Sequence, residues 1–229
     1  MVFRQLFEPV SSTYCYLLAC EASREAVLID PVLEDVERYL GLLAELELRL
    51  VYTLETHVHA DHITGAALLR ERIGSRCAVK ADAGVRGACL PLKDGDELHV
   101  GSLSLRVIAT PGHTDSCLCF SMGDRVFTGD ALLIGGCGRT DFQQGSAARL
   151  YESVTTRLFT LPPDTLVFPA HDYKGRTVST IREEMALNPR LGGGRTQAEF
   201  EVIMAGLNLP YPKQIDRALP ANLRCGAPE

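Results

Sequence analysis

The segment Thr-His-Val-His-Ala-Asp-His at residues 56–62 places three histidines and one aspartate within seven positions. Side chains of an extended segment alternate between two faces, so we expect His57, His59 and Asp61 to point the same way. Such groups are costly to bury unless they are paired or bind a metal ion. His62 is expected to begin the next helix, whose N-terminus would favour an ionised Asp61. The chain must therefore adopt a fold that places this polar cluster at a strand end.

Three further segments follow apolar, strand-like runs and end in a potential metal ligand. They carry His113 in Thr-Pro-Gly-His-Thr, Asp130 in Phe-Thr-Gly-Asp and His171 in Phe-Pro-Ala-His-Asp. Of the six histidines, only His99 lies away from such a strand exit. Imidazole and carboxylate groups together are suitable ligands for a borderline divalent ion such as zinc, iron or manganese. The four segments therefore predict a metal site where several strands end.

The distribution of apolar residues predicts a mixed succession of strands and helices. Strands are predicted where apolar residues alternate or run together, at 14–20, 25–30, 48–56, 103–110, 117–130 and 165–170. Helices are predicted where they recur at helical spacing, at 33–48, 63–74, 146–161, 177–188 and 196–208. Ser146 is the expected N-cap, Gly74 a helix end and Gly123-Asp124 a hairpin turn. This order predicts one layered α/β domain over residues 1–229, with 190–229 as a C-terminal helical arm.

Composition argues against several classes of protein. The net charge of −6 does not suit nucleic-acid binding, which needs clustered basic residues. No stretch approaches the roughly 20 apolar residues of a membrane span. The N-terminal segment resembles neither a signal peptide nor a transit peptide, so we expect a cytoplasmic protein or the mature form of an organellar one. The eight cysteines contain no Cys-x-x-Cys pair, and reduced thiols are expected.

The combination of His-x-His-x-Asp-His with His113, Asp130 and His171 resembles the metallo-β-lactamase superfamily. This resemblance extends over residues 53–173. It implies an α/β fold of the αββα sandwich type, in which two mixed β-sheets are flanked by helices and metals bind at the strand ends. The pattern is specific for the fold and much less so for the reaction, because members include hydrolases and oxygenases.

Several segments are also similar to the persulfide dioxygenases of the ethylmalonic-encephalopathy type. These segments lie at 56–66, 110–117, 136–145, 168–180 and 183–191. The resemblance implies an enzyme with one Fe(II) per subunit, which oxidises glutathione persulfide with O₂ and water to sulfite and glutathione. Related proteins also suggest a homodimer, although no periodic apolar face in the sequence requires one.

By the same resemblance, the iron ligands are His57, His113 and Asp130. Two imidazoles and one carboxylate on one side of an iron ion leave three coordination positions open, which suits a persulfide sulfur and O₂ binding side by side. The remaining polar residues would support the ligands through hydrogen bonds. In this supporting set, His59, Asp61, His62 and His171 would orient the ligands, whereas Thr114 and Asp172 would be structural supports that bond to ligands or to the adjacent loop. The set includes groups that bind a second metal in binuclear hydrolases, and the sequence itself leaves that alternative open.

Glutathione carries two carboxylates and needs cationic or amide partners. Arg139 is the first candidate, because a guanidinium can bind a carboxylate through two parallel hydrogen bonds. Tyr173 and Lys174 follow His171 directly and are the next candidates for substrate binding. Cys137 lies between two glycines, where a small residue filling a tight loop is a more common role than a reactive thiol.

Two other functions are compatible with the same motifs. One is a hydroxyacylglutathione thioester hydrolase of the glyoxalase II type, with a zinc or binuclear site. The other is a non-catalytic metal-binding module, which would not need an open coordination face. Oxygen uptake with glutathione persulfide separates the dioxygenase from both alternatives.

Overall fold

Runs of alternating apolar residues form strands in two six-stranded sheets, and the computed structural model describes residues 1–227. The strands are β1 (Val2–Glu8), β2 (Thr13–Ala19), β3 (Glu25–Ile29), β4 (Arg49–Leu54), β5 (Arg76–Lys80), β6 (Leu90–Leu92), β7 (Glu97–Val100), β8 (Leu103–Ala109), β9 (Leu118–Met122), β10 (Arg125–Gly129), β11 (Leu166–Pro169) and β12 (Ser179–Thr180). The helices are α1 (Val36–Glu45), α2 (Ala66–Ile73), α3 (Ala147–Ser153), α4 (Ile181–Leu187), α5 (Gln197–Ala205) and α6 (Ile215–Asn222).

Both sheets are mixed. The first has the order β1-β2-β3-β4-β5-β6, and its last three pairs are parallel. The second has the order β12-β11-β10-β9-β8-β7 and is antiparallel except between β10 and β11. Strands β8, β10 and β11 consequently run in one direction, so their C-terminal ends meet at the same edge of the sheet. The predicted α/β architecture of two mixed sheets flanked by helices is confirmed.

Strand β2 shows how the layers are built, because every one of its residues is buried. Tyr16 and Leu18 point into the core between the two sheets. Leu17 points the other way, into the layer formed with α1 and α2. In the inter-sheet core the ring of Tyr16 lies 4.9 Å from that of Phe127, which stacks on Phe168 at 5.6 Å. Aromatic packing between the sheets therefore joins the two halves of the molecule.

Most predicted elements are confirmed, with differences at their ends. Ser146 accepts a hydrogen bond from the backbone N–H of Arg149 and caps α3, and Gly74 ends α2 with a left-handed φ of 74°. Helix α3 continues as a π-helical turn, Val154–Leu158, which the sequence did not indicate. The sequence analysis did not locate strands β1, β5, β6, β7 and β12 or helix α6, and it placed the residues of β12 in the predicted helix at 177–188.

The C-terminal part of the chain lies against the rest of the protein. Phe200 of α5 is buried beside Tyr151 of α3, with ring centroids 5.9 Å apart. The division into a domain and an arm beginning at residue 190 stays a prediction. Within residues 1–227, no helix combines the length and the apolar character needed to cross a bilayer.

Replacement of Phe127 by Ala tests the inter-sheet core. Removing a fully buried aromatic side chain should lower the free energy of unfolding by about 3–5 kcal/mol, measured by denaturant titration. Val202→Ala is the control, because this α5 residue is 74% exposed and its loss should change the free energy by less than about 0.5 kcal/mol. Similar losses in the two variants would contradict this description of the core.

Candidate metal centre

Four polar segments meet at one edge of the two sheets, each directly after a strand. His57 follows β4 of the first sheet, whereas His113, Asp130 and His171 follow β8, β10 and β11 of the second. The predicted convergence of these strand ends is therefore present. The site takes one potential ligand from the first sheet and three from the second.

Backbone hydrogen bonds fasten the two sheets together beside these residues. The N–H of Leu118 donates to the carbonyl of Thr56 at 2.7 Å, and the N–H of Tyr14 donates to the carbonyl of Ala170 at 2.7 Å. In each bond, a residue of a polar segment that follows one sheet is joined to a strand of the other sheet. The spacing of the site is thus set by main-chain contacts as well as by the core.

The three residues assigned as iron ligands lie close enough to share one ion. One ligand atom each from His57, His113 and Asp130 fit within 4.8 Å of one another, and Nε2 of His113 is 3.6 Å from Oδ2 of Asp130. Burial, helped by the neighbouring His59 and His113, lowers the pKa of His57 well below its ordinary value. Burial alone would raise the pKa of Asp130, but His171 and other imidazoles lower it. A neutral imidazole and an ionised carboxylate are the forms that bind a divalent metal, so this donor set fits the ion.

Hydrogen bonds orient the lone pairs of both imidazoles. Nδ1 of His113 lies 2.6 Å from the carbonyl oxygen of Arg139. A carbonyl only accepts, so Nδ1 carries the proton and Nε2 is left as the ligand atom. The hydroxyl of Thr56 donates to Oδ2 of Asp30 at 2.8 Å and so accepts from Nδ1 of His57 at 3.0 Å. Nε2 of His57 is likewise left as a ligand atom.

His171 is held between two carboxylates. Nδ1 lies 2.8 Å from Oδ1 of Asp130, and Nε2 lies 2.9 Å from Oδ2 of Asp61. Burial alone would lower the pKa of His171, but the two aspartates raise it well above its ordinary value. In this arrangement His171 orients the predicted ligand Asp130 and has both ring nitrogens engaged.

Asp61 connects this imidazole to His62. Oδ2 of Asp61 lies 2.8 Å from Nδ1 of His62 and also accepts from the hydroxyl of Thr13 at 3.1 Å. The expectation that His62 begins a helix is wrong, because α2 begins only at Ala66, after a bend and an isolated β-bridge between Thr64 and Val32. Burial alone would raise the pKa of Asp61, but His62 and His171 lower it well below its ordinary value. The imidazoles of His62 and His171, and not a helix N-terminus, therefore favour the ionised form of Asp61.

His59 lies beside His57 and Asp61 and also contacts two further buried carboxylates. Its Nε2 donates to Oδ1 of Asp30 at 3.0 Å and lies 3.5 Å from Oε2 of Glu55. Asp30 also accepts from the backbone N–H of Thr56 at 2.7 Å. The sequence analysis missed Asp30, although it follows a strand just as Asp130 does. The signal that identified the other strand-end residues would have found it.

Two predicted supporting residues stabilise loops. The hydroxyl of Thr114 is 2.8 Å from that of Ser116, whose oxygen accepts from the backbone N–H of Val58 between the first two histidines. Asp172 accepts from the backbone N–H groups of Lys174 and Arg176 at 2.8 and 2.7 Å. Asp172 therefore supports the adjacent loop and not a ligand.

The three predicted substrate-binding residues lie near the site, and they differ in their exposure and in their contacts. Nε and Nη2 of Arg139 each donate to Asp141 at 2.7 Å, and Nη1 donates to the carbonyl of Pro210 at 2.7 Å. Tyr173 is 74% exposed, and its ring lies parallel to that of His171 with the centroids 6.1 Å apart. Lys174 is exposed on the same loop. The roles of all three in substrate binding stay predictions.

The loop around Cys137 packs closely against two of the predicted ligands, His113 and Asp130. A Cβ at Gly138 would lie 2.7 Å from both Nδ1 of His113 and the carbonyl oxygen of Asp130, so a side chain there would displace one of them. Burial raises the pKa of the Cys137 thiol to about 11. A buried, protonated thiol agrees with a space-filling role in this tight loop.

The sequence profile of the metallo-beta-lactamase superfamily matches residues 9–171, which include the first three polar segments and the fourth as far as His171. The chain belongs to this superfamily. Three groups of side chains in residues 1–227 have the geometry to hold a metal ion, and the group of His57, His113 and Asp130 is one of them.

Individual members of the superfamily are similar to this chain to different degrees. Human mitochondrial persulfide dioxygenase ETHE1 is 55% identical over 229 residues, covering 99% of this chain and 89% of that protein. The crystal structure of ETHE1 from Myxococcus xanthus has a TM-score of 0.97 and 56% identity, covering 99% of this chain and 100% of that one. A probable hydroxyacylglutathione hydrolase of Schizosaccharomyces pombe is 34% identical over 166 residues, covering 70% and 64% of the two chains.

Replacement of Thr56 by Val tests the hydrogen bonds that orient His57. The variant keeps the shape of the side chain but removes the acceptor of Nδ1, so the imidazole loses its fixed tautomer. Affinity for Co(II), followed by visible absorption, should fall by about 10–100-fold, as is typical when an outer partner of a ligand is removed. The control Ser75→Ala removes a buried hydroxyl that makes no hydrogen bond and should leave Co(II) affinity unchanged. Unchanged affinity in Thr56→Val would refute the orienting role.

Proposed function

We propose that this protein is a persulfide dioxygenase that uses one Fe(II) per chain to oxidise glutathione persulfide with O₂ and water, giving sulfite and glutathione. The observation that carries the proposal is the close grouping of His57, His113 and Asp130, with both imidazole lone pairs left free by fixed hydrogen bonds. The 55% identity to a named persulfide dioxygenase over nearly the whole chain supports the same activity.

Each residue of the triad has a defined part in this function. Iron, when bound, supplies the redox chemistry that activates dioxygen, which zinc does not provide. His57 and His113 offer neutral nitrogen ligands, and Asp130 offers the charge that favours a divalent ion. His171 keeps Asp130 oriented through a 2.8 Å hydrogen bond. The three ligands approach the ion from the ends of the two sheets. Substrate and O₂ are therefore expected to meet on the side of the ion that faces away from these sheet ends.

Glutathione as the carrier of the sulfur, a homodimeric assembly and a cytoplasmic location are further parts of the proposal. The relatives named as persulfide dioxygenases support a persulfide substrate, and the polar residues near the site support glutathione as its carrier. Tyr173 and Lys174 lie on the exposed loop after His171, where they can meet a charged tripeptide. The dimer and the location rest on the sequence analysis alone.

A glyoxalase II-type hydrolase with two metals is the second candidate. The specific observation in its favour is that Nδ1 of His59 and Nε2 of His62 are buried without hydrogen bonds. Such nitrogens are available to a second cation. The fission-yeast relative named as a probable hydroxyacylglutathione hydrolase supports this candidate at lower identity.

An anaerobic preparation loaded with Fe(II) separates the two activities. Addition of glutathione persulfide in the presence of O₂ should consume one O₂ for each sulfite formed, measured with an oxygen electrode and by sulfite derivatisation. Asp130→Ala should lose both iron and O₂ uptake, because it removes the only anionic member of the triad. Hydrolysis of S-lactoylglutathione without O₂ uptake would reject the proposal in favour of the hydrolase.

Variants of Arg139 and Asp141 test the glutathione site. If the guanidinium binds a substrate carboxylate, Arg139→Ala should raise KM by about 10-fold or more, because a hydrogen bond to a charged group contributes about 1.5–3 kcal/mol. Asp141→Asn should lower KM, since it releases the guanidinium from its ion pair. Steady-state kinetics should therefore move in opposite directions in the two variants. A rise in KM in both would assign Arg139 to loop stability.

A further inference from the structure

The side chain of Asn222, the last residue of α6, joins the C-terminal part of the chain to the metal-binding segment. Its Nδ2 donates to the carbonyl oxygens of His59 and His62 at 2.9 and 2.8 Å. Its Oδ1 accepts from the backbone N–H of Thr64 at 2.9 Å. The residue is buried, with 4% of its surface exposed. One amide thus satisfies three main-chain groups of a loop that lies about 160 residues earlier.

Residues that follow Asn222 also form hydrogen bonds with the segment after the metal-binding loop. The carbonyl of Cys225 accepts from the backbone N–H of Ala67 at 3.0 Å, and the carbonyl of Leu223 accepts from that of Arg86 at 2.8 Å. Helix α2 begins after Gly65, which has no side chain to cap the helix. A C-terminal carbonyl therefore takes one of the free N–H groups in the first turn of α2. Residues 222–225 therefore pack against the metal-binding segment and the start of α2.

We propose that Asn222 is a positioning residue for the metal centre. It fixes the main chain on both sides of Asp61, whose carboxylate bonds to His171. His171 in turn bonds to Asp130, the anionic member of the triad. Through this series of hydrogen bonds, the C-terminal helix sets the direction in which the ligand carboxylate points.

Only an amide satisfies this loop completely. A side chain at position 222 must present two donors toward the carbonyls and one acceptor toward the N–H of Thr64, and asparagine offers both. In Asn222→Asp the volume and the acceptor are kept, but both donors are lost. In Asn222→Ala all three partners are left unpaired in a buried place. The aspartate variant thus removes both donated hydrogen bonds while it keeps the acceptor for Thr64, and it adds a negative charge beside the two carbonyl oxygens.

The full-length chain can be tested with Co(II) as the probe, because its visible absorption reports both affinity and coordination geometry. In Asn222→Asp and Asn222→Ala we expect the Co(II) affinity to fall by about 10-fold or more, as for other outer partners of metal ligands, with a changed absorption spectrum. The control Ser179→Ala removes a buried hydrogen bond to Glu184, in the corner between β12 and α4. It should lower the melting temperature and leave both Co(II) affinity and spectrum as in the parent protein.

The outcomes separate positioning from general stability. Asn222 variants that melt at lower temperature, as the control does, but bind Co(II) with parental affinity and spectrum would overturn the proposal. Asn222→Asp decides the question if Asn222→Ala does not fold, since it keeps the contact with Thr64. The inference requires only that the superfamily site binds a metal, so a protein without persulfide activity would reject the proposed function and leave this test intact.

Discussion

The buried carboxylate of Asp30 fixes the hydrogen-bonding pattern of His57 and His59. It accepts from the backbone and the hydroxyl of Thr56 and from Nε2 of His59. Because the hydroxyl proton goes to Asp30, the oxygen of Thr56 is left to accept from His57, and the second ring nitrogen keeps its lone pair. A buried charge is tolerated when hydrogen bonds replace the water it has lost. The metal site therefore depends on a residue that is not itself assigned as a ligand.

The packing of the two sheets sets the distances at the site, since His57 comes from one sheet and the other three strand-end residues come from the second. The aromatic core of Tyr16, Phe127 and Phe168 fixes how far apart the sheets lie. Rigid interiors transmit small displacements, so a gap in this core would be felt at the strand ends. Stability and metal binding are consequently linked through the same contacts, although the core residues lie away from the ligands.

The sequence predicted the parts of this arrangement that are local. Apolar periodicity located most strands and helices, and polar residues after strands located His57, His113, Asp130 and His171. Strand direction then brought them together. The contacts of Asn222 could not be predicted, because they join segments that are distant along the chain and depend on how α6 packs. The helix expected at His62 was misplaced because apolar spacing does not show that Thr64 forms a β-bridge with Val32 before the helix begins. Hydrogen-bond partners of the ligands depend on tertiary structure and leave little trace in a single sequence.

The difference between local sequence signals and contacts made by tertiary structure also explains why the motifs identify the fold more firmly than the reaction. His59, Asp61, His62 and His171 are the residue types from which a second metal site is built, yet here they are engaged in different ways. Both nitrogens of His171 face carboxylate oxygens within 3 Å, whereas one nitrogen each of His59 and His62 has no hydrogen bond. A second cation bound by His171 would have to replace the bonds between this imidazole and its two aspartates. The number of metals is thus governed by hydrogen bonding around the ligands as well as by residue identity, and a motif records only the identity.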